Sequence, residues 1–248
     1  MSGQKRQVVI LAGGLGTRLR PITEKVPKPM VPVASEPFLY WQLSDLKSQG
    51  YKKVLLLVAY LGEQVRTFFG DGSGMGLQIE YAFEPEPLGT GGALKNALPQ
   101  LANEFILLNG DSFLQAPLIE MERTFERGYD AVISTYDNHD PVPVIPNLKV
   151  RGDKVVDYKK DAPASEGFDK IDSGIYVMKK ALVEGEKRER FMLADLWPPL
   201  IASGKLGAFG VHERFYDIGT PDRLKEFEEK VRDYFPNPVS DQLPGRRH

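Results

Sequence analysis

Residues 8–19 read Val-Val-Ile-Leu-Ala-Gly-Gly-Leu-Gly-Thr-Arg-Leu, an apolar run that passes directly into three glycines. The β-branched run predicts a strand that is buried on both faces. The glycines let backbone N–H groups turn toward one point, and such a nest binds anionic phosphate oxygens. A tight turn without a ligand is the simpler interpretation of glycines alone, so the neighbouring residues must decide.

Two familiar phosphate-binding loops do not fit this stretch. A dinucleotide fingerprint needs a small residue where Leu19 stands and an acidic residue near the end of the second strand, where the chain has Val58-Ala59-Tyr60. A Walker loop needs Gly-Lys-Ser/Thr after the glycines, and that motif is absent here. The sequence therefore argues against an NAD-binding protein and against a Walker-type ATPase.

Two cations accompany the glycines. Arg18 lies within the loop, and Lys28 stands between Pro27 and Pro29. Prolines fix φ and bias their neighbours toward extended conformations, so Lys28 should project from a stiff segment. Either cation alone is most simply solvated surface, but together, beside a glycine nest, they indicate two charges aimed at a polyphosphate.

The chain around this loop alternates strands and helices. This alternation predicts an α/β fold with a Rossmann-like, doubly wound, mixed but mostly parallel sheet. After the first strand, at Val8–Leu11, the predicted elements are a helix Phe38–Gln49, a strand Val54–Ala59, a helix Glu63–Phe69, a strand Leu77–Phe83, a helix Gly91–Leu98 and a strand Phe105–Leu108.

After Tyr136 the pattern changes to short strands, which predicts a small β-rich insertion. The elements expected there are strands near Leu148–Val150, Lys154–Tyr158 and Ser173–Met178, a helix Met192–Ala202, and a closing helix Pro221–Tyr234 with Thr220 as its N-cap. We expect one domain over residues 1–235, with halves at about 1–136 and 137–235, and a loose tail at 236–248.

The composition is that of an ordinary globular protein. Among 248 residues, 32 Lys and Arg face 34 Asp and Glu, and this formal charge of −2 argues against a nucleic-acid partner. Cys is absent, which excludes disulfides and thiolate chemistry, and the three His share no metal-ligand spacing. No apolar run approaches the roughly 20 residues of a membrane-spanning helix, and no signal peptide is recognisable, so we expect a cytoplasmic protein.

Residues 11–30, which end in Pro-Lys-Pro-Met, resemble the signature of the sugar-1-phosphate nucleotidylyltransferases. The resemblance implies a GT-A-like nucleotidyltransferase fold in which the insertion binds the sugar. It implies that a sugar 1-phosphate and a nucleoside triphosphate give an NDP-sugar and pyrophosphate. It also makes Arg18 and Lys28 the candidate catalytic residues, with Arg18 on the triphosphate and Lys28 at the reacting phosphates.

The same resemblance implies a set of nucleotide-binding residues. They are Leu11, Ala12, Gly13, Gly14, Gly16 and Thr17 in the glycine loop, and Glu84, Pro87, Gly89 and Thr90 in the later loop 84–92. A carboxylate only accepts hydrogen bonds, and guanine offers two adjacent donors, N1–H and the 2-amino group. Glu84 therefore favours GTP as the nucleotide. A capped loop without a ligand is the alternative for 84–92.

Asp111 follows a buried strand, at the edge of the sheet where open α/β folds bind ligands. Mg²⁺ takes one or two carboxylates together with phosphate oxygens, so a second Asp should converge there. The resemblance places that second carboxylate at Asp217, in the motif Tyr-Asp-Ile-Gly-Thr-Pro. We therefore expect Mg²⁺ as cofactor, held by Asp111 and Asp217.

The sugar side is implied only by resemblance. The sugar-phosphate-binding residues that it implies are Asn109, Asn147, Lys160, Asp172 and Gly174. The loop 87–93 is most similar to guanylyltransferases that act on mannose or a manno-configured heptose, which makes the expected product a GDP-heptose or GDP-mannose for cell-surface polysaccharide synthesis.

Three other functions stay open at this point. One is transfer of a uridylyl, cytidylyl or thymidylyl group to another sugar phosphate. The second is a GT-A glycosyltransferase, although Asp111-Ser-Phe113 lacks the second Asp of an Asp-x-Asp motif. The third is a nucleotide sensor without catalysis. The expected partners are GTP and a sugar 1-phosphate, with no membrane or nucleic acid, and a homo-oligomer is left open.

Overall fold

The computed structural model describes residues 5–235, so the tail predicted at 236–248 lies outside the described residues. The strands are β1 (Gln7–Leu11), β2 (Pro32–Val33), β3 (Glu36–Pro37), β4 (Lys53–Val58), β5 (Gln78–Phe83), β6 (Glu104–Asn109), β7 (Ser112–Phe113), β8 (Ala131–Tyr136), β9 (Leu148–Arg151), β10 (Lys154–Tyr158), β11 (Ile171–Lys179), β12 (Leu206–Val211) and β13 (Tyr216–Asp217). The α-helices are α1 (Phe38–Ser48), α2 (Gly62–Phe69), α3 (Gly89–Asn96), α4 (Leu118–Phe125), α5 (Ala181–Glu184), α6 (Trp197–Ala202) and α7 (Pro221–Tyr234).

One compact unit is assembled from three stretches of the chain, residues 5–87, 109–113 and 216–235. Its parallel strands lie in the order β5-β4-β1, with Val8 opposite Val54 in the register. Strands β1 and β4 are apolar along almost their whole length and are buried, as a parallel strand covered on both faces requires. The two strands predicted from these apolar runs are confirmed.

Helices α1 and α7 of this unit share an aromatic core. Phe227 of α7 packs with Phe38 at a centroid distance of 5.2 Å and with Phe113 at 5.0 Å, and Tyr234 lies 5.5 Å from Phe113. Phe113 belongs to β7, which pairs with β13 in an antiparallel ribbon. This core therefore ties α7 to a strand more than a hundred residues earlier in the chain.

The second unit comprises residues 88–108 and 114–215. Its strands lie in the order β6-β11-β8-β12-β10-β9, with parallel pairing between β8 and β12 and antiparallel pairing elsewhere. The predicted β-rich insertion is confirmed, since β9, β10 and β11 lie where short strands were expected. Together the strands and helices confirm the predicted α/β fold class with a mixed sheet.

Two local boundaries have a clear physical cause. The helix predicted at Met192–Ala202 starts at Trp197 instead, after a short 3-10 turn at Leu193–Leu196. Pro198 and Pro199 lack a backbone N–H, so they are tolerated only in the first turn of a helix. Helix α7 begins at Pro221, as predicted, with Thr220 as its N-cap.

Within residues 5–235 no helix is long and apolar enough to cross a membrane.

Gly110 provides a test of the packing in the first unit. A Cβ added there would lie 2.2 Å from the carbonyl oxygen of Leu11, which is backbone and cannot move aside. We expect Gly110→Ala to lower the free energy of unfolding by about 3 kcal/mol in urea denaturation, because overpacking against a fixed group is destabilising. Gly210→Ala is the matched control, since nothing lies within 4 Å of its added Cβ. Equal stability of the two variants would contradict this account.

Candidate active site

The glycine loop brings Glu84 against the end of β1. A Cβ added at Gly13 would lie 2.9 Å from Glu84 Oε1 and 3.1 Å from Ala59 Cβ, so only glycine leaves room for the carboxylate. Gly16 has φ +61°, a left-handed conformation that glycine adopts without strain. The structure therefore brings the predicted loop and the predicted base-binding carboxylate together in one unit.

Lys28 is the most confined cation of this site. Lys28 is only 8% exposed. Its aliphatic side chain packs under the loop, where Lys28 Cβ would lie 3.2 Å from a Cβ added at Gly16. Its Nζ lies 2.6 Å from Asp111 Oδ2, across 83 residues of sequence. Pro27 is extended, and Lys28 begins the 3-10 turn Lys28–Met30 that contains Pro29. A buried ammonium needs such a partner, because an unpaired buried charge is very costly.

Gln42 of α1 holds the turn that carries Asp111, and sequence reasoning did not identify it. The amide is 3% exposed, and its Nε2 donates to the carbonyl oxygens of Asn109 at 2.9 Å and Ser112 at 2.7 Å. Its Oε1 has no partner among the described residues. The only sequence signal was a polar residue between the buried Trp41 and Leu43 of a helix, and such a residue needs polar partners inside the protein.

Asp217 lies beside this turn. Strand β13 places Asp217 opposite Ser112, and the N–H of Ile218 donates to the backbone carbonyl of Asp111 at 3.0 Å. The carboxylate accepts from the N–H of Gly219 at 2.7 Å and from Arg223 Nη1, at 3.1 Å to Oδ1 and 2.9 Å to Oδ2. The two predicted carboxylates therefore come from neighbouring strand ends.

Arg18 also belongs to this group. A Cβ added at Gly219 would lie 2.6 Å from Asp217 Oδ1 and 3.1 Å from Arg18 Nη2. Because residue 219 is glycine, the Arg18 guanidinium, which we predict to bind phosphate, can approach the Asp217 carboxylate. Within this unit the structure brings together Arg18, Lys28, Glu84, Asp111 and Asp217.

The chemistry of this donor set fits Mg²⁺. Carboxylate oxygens are the hard ligands that Mg²⁺ prefers, and one or two of them suffice when phosphate oxygens complete the shell. The Asp111 side chain is 43% exposed and can be reached by a ligand, whereas that of Asp217 is 15% exposed. In the described part of the chain no three or more His, Cys, Asp or Glu side chains come together as a group that could hold a metal ion.

Three of the five residues predicted for the sugar side, Asn147, Asp172 and Gly174, are joined by hydrogen bonds in the second unit, whereas Asn109 lies in the first unit, at the end of β6. Asn147 Oδ1 accepts from the backbone N–H of Asp172 at 2.9 Å. The Asp172 carboxylate accepts from the N–H of Gly174 at 3.0 Å and from the hydroxyl of Tyr176 at 2.9 Å. Gly174 has φ +87° at a register shift in β11, so glycine is required where the strand bends. Lys160 is exposed in the turn that follows β10.

Burial dominates the electrostatics of Asp172. Desolvation raises the pKa of its carboxyl to about 6, although the Gly174 N–H and the Tyr176 hydroxyl both act to lower it. Burial and the Asp172 charge also raise the pKa of Tyr158, whose side chain hydrogen-bonds Asn147. The cluster therefore contains a carboxyl group that is protonated more readily than an exposed one.

The loop predicted at 84–92 ends at Gly89, where α3 begins, and residues 89–92 have hydrogen-bond partners within the protein. The N–H groups of Gly91 and Gly92 donate to the carbonyl oxygen of Phe191 at 3.0 and 3.2 Å, and Thr90 Oγ1 accepts from the N–H of Leu193 at 2.8 Å. A Cβ at Gly91 would lie 2.2 Å from the Phe191 ring. These glycines admit the Phe191 segment, and the nucleotide-binding roles of Gly89 and Thr90 stay predictions.

Comparison with known proteins identifies the class. Residues 7–234 match the nucleotidyl transferase family, and the chain belongs to that family. The match covers both units, including the glycine loop, Asp111 and Asp217. The family that the Pro-Lys-Pro-Met motif resembled is thereby confirmed.

Particular relatives narrow the class. The chain is 34% identical to D-glycero-alpha-D-manno-heptose 1-phosphate guanylyltransferase of Campylobacter jejuni, covering 89% of this chain and 98% of that protein. It is 34% identical to mannose-1-phosphate guanylyltransferase of Mycobacterium tuberculosis, over all of this chain and 70% of that protein. The crystal structure of HddC from Yersinia pseudotuberculosis complexed with GMP-PN superposes with a TM-score of 0.76 at 30% identity, covering 91% of this chain and 99% of HddC.

The Gln42 amide predicts a stability difference between two matched variants. Gln42→Glu replaces a double donor with an acceptor that faces two carbonyl oxygens, so we expect it to lower the free energy of unfolding by about 3 kcal/mol or more at pH 7. Gln78→Glu makes the same change on the exposed face of β5 and should alter stability by less than about 0.5 kcal/mol. Urea denaturation of both variants is the measurement, and equal losses would disprove the role of the amide.

The raised pKa of Asp172 predicts a pH-dependent difference from Asp172→Asn. The pKa of Asp172 is higher in the folded chain than in the unfolded chain. Protonated Asp172 therefore adds to the free energy of unfolding of wild type below about pH 4, and this contribution is lost as the pH rises through about 6. Relative to wild type, the Asn variant should therefore gain roughly 2–3 kcal/mol between pH 4.5 and pH 8. Denaturant unfolding across this range checks the difference. The exposed Asp169→Asn serves as control, and a flat difference curve for Asp172→Asn would refute the prediction.

Proposed function

We propose that the protein is a sugar-1-phosphate guanylyltransferase, in which a phosphate oxygen of the sugar 1-phosphate attacks the α-phosphorus of GTP and displaces pyrophosphate. The observation that supports it most directly is the contact between Lys28 and Asp111 beneath the glycine loop. That contact places a confined cation beside a carboxylate suited to a metal, at a loop whose backbone can hold phosphates. The guanylyltransferase relatives point to the same reaction.

The reaction needs charge neutralisation more than proton transfer. A phosphate monoester is already anionic at neutral pH, so the attacking oxygen requires no general base. Two unit charges about 4 Å apart repel by roughly 1 kcal/mol in water and by several times more in a drier site. In the proposal Lys28 and Arg18 offset this repulsion, and the backbone of residues 12–14 orients the triphosphate.

Mg²⁺ belongs to the proposal as cofactor, held by Asp111 and Asp217. When bound, it would neutralise phosphate charge as the bond to pyrophosphate breaks. The protein's own part is to fix the carboxylates, through Gln42 and the Gly110 turn for Asp111 and through β13 for Asp217.

GTP is proposed as the nucleotide because of Glu84. Its Oε1 lies against Gly13, near the start of the glycine loop. A carboxylate matches the two adjacent donors of guanine, N1–H and the 2-amino group. The guanylyltransferase relatives support the same base. A cytoplasmic location belongs to the proposal too, because nucleoside triphosphates are cytoplasmic substrates.

A manno-configured sugar, heptose or mannose, is proposed as the acceptor. The support is the similarity to two guanylyltransferases named for these sugars, together with the cluster of Asn147, Asp172 and Gly174 in the second unit. In the proposal Lys160 binds the sugar phosphate and Asp172 faces sugar hydroxyls.

The test is a matrix of four nucleoside triphosphates against several sugar 1-phosphates, with pyrophosphate release as the readout. We expect turnover with GTP and a manno-configured sugar 1-phosphate, and a decrease of kcat by about 10²–10³ in Arg18→Ala, because Arg18 acts on charge at the triphosphate. Lys225→Met removes an exposed cation and serves as the control for charge alone.

Each contrary outcome has a specific meaning. Turnover with UTP or dTTP in place of GTP would show that Glu84 does not select guanine. A glycosyltransferase would release no pyrophosphate with any pair in the matrix and would instead release a nucleoside diphosphate from an NDP-sugar. Nucleotide binding without any turnover would indicate a sensor. Near-full kcat in Arg18→Ala would reject the role of that residue.

A further inference from the structure

Arg223 is a cation at an unusual place in its helix. Thr220 caps α7, with its Oγ1 3.5 Å from the N–H of Arg223, and Pro221 and Asp222 precede Arg223 in the first turn. The partial positive charge of a helix N-terminus favours acidic side chains there and disfavours cations. The arginine therefore does not serve the stability of the helix end, and its side chain must be explained by what it contacts.

The guanidinium of Arg223 turns back to the Asp217 carboxylate. Its Nη1 lies 2.9 Å from Oδ2 and 3.1 Å from Oδ1, and the N–H of Gly219 donates to Oδ1 at 2.7 Å. The two side chains are only 21% and 15% exposed, so solvent screens the pair weakly. Charge-assisted bonds to both oxygens fix the rotation of the carboxylate as well as its position.

We propose that Arg223 is a positioning residue that holds the Asp217 carboxylate in the orientation in which it binds a divalent cation. This rests on the proposed function, which gives Asp217 its metal. Each carboxylate oxygen has two lone pairs, so the bonds from Arg223 and Gly219 leave acceptor capacity for a metal ion. Partners that orient a metal-binding carboxylate commonly change metal affinity by 10- to 100-fold when they are removed.

Two other roles predict different results. As a mere counter-charge, Arg223 would repel a cation, and its removal would tighten metal binding. As a purely structural anchor of α7, it would change the unfolding temperature and leave metal affinity unchanged in the folded protein. Weaker metal binding without loss of folding is expected only if the arginine orients the carboxylate.

The experiment measures binding of Mn²⁺ alone to the purified full-length protein, with the free ion quantified by electron paramagnetic resonance. We expect Arg223→Met to weaken Mn²⁺ binding by about 10- to 100-fold. Lys225→Met, which removes an exposed cation from the same helix, should bind Mn²⁺ within about twofold of wild type. Unchanged or tighter Mn²⁺ binding in Arg223→Met overturns the proposal.

Two further variants keep the test decisive. Arg223→Lys keeps the charge on a shorter side chain that lacks Nη1, the nitrogen bonded to both carboxylate oxygens, so it should also bind Mn²⁺ more weakly, and it decides the question if Arg223→Met does not fold. The double variant Asp217→Asn with Arg223→Met should bind no more weakly than Asp217→Asn alone, because the arginine acts through that carboxylate. An additional loss in the double variant would contradict this route.

The readout also separates this proposal from the proposed function. Mn²⁺ binding requires no turnover, so a protein that binds Mn²⁺ through Asp217 and Arg223 but releases no pyrophosphate would refute the reaction and retain the positioning role. A protein that turns over normally, and whose Arg223→Met variant binds Mn²⁺ as wild type does, would retain the reaction and refute the positioning role.

Discussion

The ion pair between Lys28 and Asp111 is the interaction on which the first unit of the protein depends. It joins a segment beside the first strand to a turn far along the chain, and the Lys28 side chain is only 9% exposed. A buried charge without its partner is costly, so both segments must be held in place. Gly110 lets the turn approach Leu11, and Gln42 bonds the carbonyls on either side of it.

The second unit fixes the residues around Asp172 by different means. Instead of an ion pair, it uses backbone features: the register shift at Gly174 in β11, and the carbonyl of Phe191, which accepts from the first turn of α3. Asp172 sits in this unit as a desolvated carboxyl with internal donors. The two clusters that the proposed function uses thus differ in character: the one in the first unit is electrostatic, and the one in the second unit is dominated by hydrogen bonds and burial.

Local sequence signals predicted the elements that depend on local physics. The apolar runs predicted β1 and β4 within one residue at either end, and Thr220 with Pro221 predicted the start of α7. Contacts between distant residues carry no such local signal. The meeting of Lys28 with Asp111 depends on how strands are ordered in the sheet, and Gln42 was hidden among the apolar residues of its helix.

The unit that contains Lys28 and Asp111 is discontinuous in the chain, and its last stretch, residues 216–235, supplies β13 and α7. During synthesis on the ribosome, this unit cannot close its aromatic core until Phe227 has emerged to cover Phe38 and Phe113. Residues 88–108 and 114–215 are translated before that moment. All residues of the second unit are therefore synthesised before the first unit can close, and Asp217, which we propose as a metal ligand, belongs to the late stretch 216–235.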